Sequence, residues 1–207
     1  MPVKIVSIDR GSIAHIGLVT SSRDEPERTA YIEASPIRPA GGYELHEAPT
    51  AILAGLITEI VKIESPVHAD EIVVRLRAAW GLKRAGGRIQ AAVERALEAA
   101  LSTGDIAMEE RFLAVPGNLA VRDRSNVISE GLRKPEMLPP KEIELAVHNV
   151  IKNNFGASMD EIVLAVSRSF GFKATSSQIR EMIRNRTDSM VSKGVLARQG
   201  ENLILNT

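Results

Sequence analysis

The sequence predicts a mainly α-helical protein with small β-hairpins, an α+β chain organised as two copies of one unit. Three observations predict it. The first is a self-match: Asp70-Glu71-Ile72-Val73 recurs as Asp160-Glu161-Ile162-Val163, an offset of 90 residues. At the same offset Trp80-Gly81-Leu82-Lys83 meets Phe170-Gly171-Phe172-Lys173, Ile89 meets Ile179, Val93 meets Ile183, Leu101 meets Val191, Gly104 meets Gly194 and Leu113 meets Leu203. Chance does not hold two glycines and the apolar positions in step for so long. The second is apolar spacing that gives three helices and then a hairpin in each copy. The third is an aromatic content of only 3%, which leaves the core to Ile, Val, Leu and Ala and favours helices over a β-sandwich.

In the first copy, Ile52, Leu53, Leu56, Ile57, Ile60 and Val61 keep helical spacing after Pro49-Thr50, so helix one is expected over 50–62. Pro66 breaks the chain. Ile72, Val73, Leu76 and Trp80 mark helix two, stopped by Gly81. Gly86-Gly87 opens helix three, whose stripe is Ile89, Val93, Ala96, Leu97, Ala100 and Leu101, stopped by Gly104. Residues 106–108 and 112–115 then flank Glu109-Glu110-Arg111 as a short hairpin.

The second copy repeats these signals with clearer caps. Ser158-Met159-Asp160-Glu161 fits a capping box, and Thr175-Ser176-Ser177 offers N-caps for helix three. The last hairpin pairs 195–198 with 203–205. Three helices followed by a hairpin is the order of a winged helix-turn-helix, so tandem winged helices are expected at 49–115 and 141–207. The alternative is a plain helical repeat, but solenoid units do not usually end in a wing. Residues 116–140, with Pro116, Pro135, Pro139 and Pro140, are expected to connect the two. Residues 1–48 form an N-terminal extension: 4–20 suits short strands, and 35–42 is rich in Pro and Gly and reads as loop.

Composition excludes several functions. Zero cysteines removes disulfides, thiolate catalysis and Cys-ligated zinc. The start of the chain lacks a signal-peptide apolar region, and the most apolar stretch, 51–57, is far below the ~18 residues that cross a bilayer, so a cytoplasmic protein without membrane contact is expected. Gly81 to Gly87 mimics the glycine spacing of a Walker A loop but lacks its lysine. No Asp or Glu is followed two residues later by Lys, as in the common restriction-nuclease core. His15, His46, His68 and His148 are too scattered to form a His-Glu-x-x-His zinc pair. His68 stands where the second copy has Ser158, which points to a local role at the start of helix two. No catalytic residue, metal or cofactor is expected, and the chain is not expected to be an enzyme.

Twenty-six basic residues balance twenty-six acidic ones, so charged function has to come from clustering. The cationic excess falls on the two third helices. Lys83, Arg84, Arg88 and Arg95 stand against Glu94 and Glu98, and Lys173, Arg180, Arg184, Arg186 and Lys193 against Glu181 and Asp188. Arg88 and Arg95 are seven apart and Arg180 and Arg184 four apart, so each pair shares a helical face. In a winged helix that face meets a duplex groove, where arginine bonds phosphates or guanine edges. The expected contacts are therefore Lys83, Arg84, Arg88, Arg95, Lys173, Arg180 and Arg184, with Arg122 and Arg124 reaching phosphate from beyond the first wing. The alternatives are an ordinary solvated face, or a rigid protein-docking module.

Several stretches resemble one known family: 31–34, 44–47, 60–76 (Ile60-Val61-Lys62-Ile63-Glu64-Ser65-Pro66-Val67-His68-Ala69-Asp70-Glu71-Ile72-Val73-Val74-Arg75-Leu76), 81–86 and 121–125. They are similar to an uncharacterised bacterial domain at the C-terminus of very large proteins that combine a superfamily I helicase with a Vsr-like endonuclease domain. The resemblance spans 31–205. It implies an accessory module of a DNA or RNA processing machine, beside a helicase or nuclease domain in the same or a neighbouring chain; the basic helix faces make duplex DNA the expected partner. The helicase and nuclease motifs of those parents are missing here, so their activities do not carry over.

Overall fold

A computed structural model describes residues 29–206; the strands expected in 4–20 lie outside the described residues. Helix α1 (Thr50–Glu64) buries Leu53, Ile57, Ile60 and Val61, one stripe at helical spacing. A two-residue strand, β2 (Val67–His68), leads into α2 (Ala69–Ala79), and α3 (Gly87–Ser102) packs against α1. Strands β3 (Ala107–Glu109) and β4 (Phe112–Ala114) form the hairpin. The second copy repeats the order as α4 (Pro140–Asn154), β6 (Ala157–Ser158), α5 (Met159–Ser169), α6 (Ser177–Ser192), β7 (Leu196–Gln199) and β8 (Asn202–Leu205). The protein is thus mainly α with small β-sheets.

Every pair of the first sheet recurs in the second at the 90-residue offset, and the second hairpin adds one more, Leu196 with Leu205. In order β2-β4-β3, Val67 faces Leu113 and Met108 faces Leu113; in order β6-β8-β7, Ala157 faces Leu203 and Arg198 faces Leu203. Each short strand ahead of the second helix thus closes its hairpin into a three-stranded sheet, a pairing the hairpin signals alone did not reveal.

Two separate apolar cores follow. One holds Ile57, Ile72, Leu76, Trp80, Val93 and Leu113, and the other Val147, Ile162, Phe170, Ile179, Ile183 and Leu203. Residues ahead of the first copy join its core: Leu45 is fully buried, with Ala34 and Ala48 beside it, and the Trp80 indole donates to the Tyr43 carbonyl at 2.9 Å. Thr50, expected to cap helix one, is instead the first residue of α1, whose N-cap Pro49 makes no side-chain cap bond, whereas three other helix starts match the sequence signals. Ser158 and Glu161 complete a capping box, Ser176 caps α6, and His68 caps α2 by accepting from the Asp70 amide.

The segment between the copies is ordered and packed. Its strand β5 (Arg122–Asp123) pairs in parallel with β1 (Thr29–Ala30), and the Arg124 amide donates to the Phe170 carbonyl at 2.9 Å. That approach needs Gly171, whose φ is +85°: a Cβ there would lie 2.6 Å from the Ser125 amide nitrogen.

Candidate nucleic-acid interface

The loop from Gly81 to Gly86 and the first turns of α3 hold one basic cluster. Lys83, Arg84, Arg88 and Arg95 are all exposed, and among the described residues none of them makes an ion pair. Gly86 is the N-cap of α3 and offers no side-chain cap, while its carbonyl accepts from the Ile89 amide at 2.9 Å. The positive end of the helix dipole adds to the side-chain charge there.

The corresponding site of the second copy is built differently. Lys173 is exposed in the turn before α6. Arg180 and Arg184 lie on one face, as their spacing predicts, but both converge on Asp160 in the first turn of α5, Arg180 at 3.7 Å and Arg184 in close contact. One carboxylate is shared by two guanidinium groups, so about half of their charge is offset locally. Gln178, Glu181, Asn185 and Asp188 of α6 are also exposed; Glu181 lies toward the first hairpin and the segment at 135–140, and Asp188 is paired with Arg198 at 3.3 Å.

Arg122 and Arg124 do not belong to any surface, which corrects the expectation that they reach phosphate. Both are buried, Arg124 to 1% exposure, and both hold Glu142 of α4, itself fully buried. The Arg122 amide donates to Glu142 Oε1 at 2.7 Å and Arg124 Nη2 to Oε2 at 2.8 Å. Arg122 also donates to the carbonyls of Glu64 and Pro66 at 2.6 and 2.7 Å, tying the second copy's first helix to the first copy. The Arg124 guanidinium lies 4.9 Å from the centre of the Tyr31 ring and 5.2 Å from that of Phe170. Buried charge persists only when paired and hydrogen-bonded, and this pairing consumes both arginines.

A second buried group adjoins the first. Glu64, at the end of α1, accepts from the Tyr31 hydroxyl at 2.8 Å, the Ala34 amide at 2.9 Å and Arg75 Nε at 2.6 Å. Arg75 also meets Glu71 and Glu33, each at 3.1 Å. Burial pushes the Glu71 carboxyl above its ordinary value, with Arg75 pulling it back. Burial and the neighbouring Glu64 raise the Tyr31 hydroxyl, which therefore remains a donor.

Among the described residues no three His, Cys, Asp or Glu side chains gather as a metal would require, and no helix is long and apolar enough to cross a membrane. Residues 43–91 match the family DUF3320, described as a protein of unknown function. The match takes in α1, α2 and the start of α3, and with them Lys83, Arg84 and Arg88 of the basic cluster. No curated protein and no solved structure matches the chain.

Proposed function

We propose that the chain is a non-catalytic, cytoplasmic accessory module that binds nucleic acid through two winged helix-turn-helix units, and that the first unit makes most of the contacts. The order helix, strand, helix, helix, hairpin in each copy supports the winged-helix reading, with α3 and α6 as the third helices. The observation that carries the function is the cluster of Lys83, Arg84, Arg88 and Arg95, exposed and without an ion-pair partner among the described residues of a chain whose net charge is zero. Exposed cations before and along a third helix can replace the counterions of a phosphate backbone. The partner is duplex DNA bound without strong sequence preference, and the setting is a helicase or nuclease domain in the same or a neighbouring chain, on the resemblance given above.

Arg180 and Arg184 contribute less, because they share Asp160, and Lys173 adds one exposed cation before α6. That local offset of charge favours a second reading for the second copy alone, that of a protein-docking unit. Fluorescence anisotropy of a labelled duplex tests the proposal. Binding that weakens steeply as salt rises supports it, and binding that is absent at low salt, or indifferent to salt, contradicts it.

A further inference from the structure

We infer that the cleft between the first hairpin and α6 is a docking site for a cationic side chain, arginine or lysine, of a partner protein. This site is separate from the basic cluster on α3 and does not rest on the nucleic-acid reading.

The cleft has a volume of about 550 Å³ and is walled by the β3–β4 turn, the segment at 135–140 and α6. Phe112, Leu138, Ile143 and Met182 give it an apolar floor. Three carboxylates line it, those of Glu110, Glu136 and Glu181, against one cation, Arg186. Arg186 is itself divided between two acids, Glu110 at 3.4 Å and Glu144 at 3.3 Å, so the lining keeps an excess of negative charge. The neighbouring cleft on the other side of the hairpin offers the contrast: there Glu109, Glu110 and Glu144 are matched by Lys141, Arg186 and Lys193.

An apolar floor under an acidic rim suits a side chain with a methylene stem and a cationic head. The protein already places one such group there, because the Arg186 guanidinium reaches Glu110 across the gap between the copies. Glu110 sits at the hairpin turn with a φ of +48°, followed by Arg111 at +67°, a left-handed pair that ordinarily calls for Asn or Gly. The wall is fixed as well as charged, since Glu142, Arg122 and Arg124 lock the two copies that face each other across it.

The test uses a fluorescein-labelled peptide of alternating alanine and arginine, with an alanine–glutamate peptide as its counterpart, titrated with the full chain. Two variants each remove two negative charges from exposed positions: Glu136→Gln with Glu181→Gln in the cleft, and Glu59→Gln with Glu98→Gln on α1 and α3 away from it. The expected result is saturable binding of the arginine peptide, weakened at least fivefold in the cleft variant and less than twofold in the distal one. The Met182 methyl signal should move on binding while that of the buried Met190 stays. Equal weakening in both variants, no saturable binding, or equal binding of the glutamate peptide overturns the proposal. So does a self-association that the cleft variant abolishes, since the occupant would then be a second copy of this chain.

Discussion

Replacing Arg124 with Ala asks whether this arginine serves the fold or a ligand. Its guanidinium is 1% exposed and bonds Glu142 at 2.8 Å and the Arg122 carbonyl at 2.8 Å, between the rings of Tyr31 and Phe170. Removing one partner of a buried pair costs about 3–5 kcal/mol, because the other charge is left in a dry site. Arg122 stays on Glu142, so the lower end applies, about 3 kcal/mol. At about 2–4 °C per kcal/mol for a chain of this size, the melting temperature should fall by about 6–12 °C. Arg84→Ala, at an exposed residue without an ion pair among the described ones, should cost no more than about 0.5 kcal/mol. Urea unfolding followed by circular dichroism measures both. An Arg124→Ala loss below about 1 kcal/mol would refute the structural role and return Arg124 to the candidate ligand contacts.

Two further outcomes follow from local geometry. The substitutions Glu110→Asn and Arg111→Gly put residues that accept φ above zero into the first hairpin turn, and should raise stability by about 1 kcal/mol; a drop would mean that the ion pairs of Glu110 and Arg111 outweigh the strain. Burial, with Arg111 adding to it, holds the His68 imidazole below its ordinary value of 6.5, while Asp70 and Glu136 oppose the shift. A lowered value means that the neutral ring, which caps α2 through Nδ1, stabilises the fold above about pH 6.5 and that this contribution is lost as pH falls through the folded value. His68→Ser, which keeps a capping oxygen, should therefore lose less stability between about pH 7 and 5 than the native chain. A gap between the two that does not change with pH contradicts this.

The repeat was legible because burial repeats with it. Ile72 and Ile162, Trp80 and Phe170, and Leu113 and Leu203 are buried in their two cores, and the 90-residue offset extends to the registers of both sheets. The Ser158 capping box was legible because its partners lie three residues apart. The fate of Arg122 and Arg124 was not legible, because their partner Glu142 lies 20 and 18 residues away and the carbonyls of Glu64 and Pro66 lie 58 and 56 away. A signal did exist. Glu64 continues the buried stripe of Ile57, Ile60 and Val61 and takes Arg75 as its cation; Glu142, beside Ile143 and Ala146, needs a buried partner as well. Arg122 and Arg124, alternating along an extended segment, were the candidates to supply it. The ties of Arg180 and Arg184 to Asp160 were hidden for the same reason, since α5 and α6 meet only in the folded protein.

The most direct test of the proposed function is the salt dependence of duplex affinity in the native chain and in a variant with Lys83, Arg84, Arg88 and Arg95 replaced by Ala. Four phosphate contacts give a slope of log affinity on log salt of about −3.6, so affinity should fall about a hundredfold between about 50 and 200 mM salt. The four-residue variant should lose most of that slope, whereas Arg180→Ala with Arg184→Ala should change it by less than about one unit. A four-residue variant with the affinity and slope of the native chain would contradict the assignment of nucleic-acid binding to the first copy.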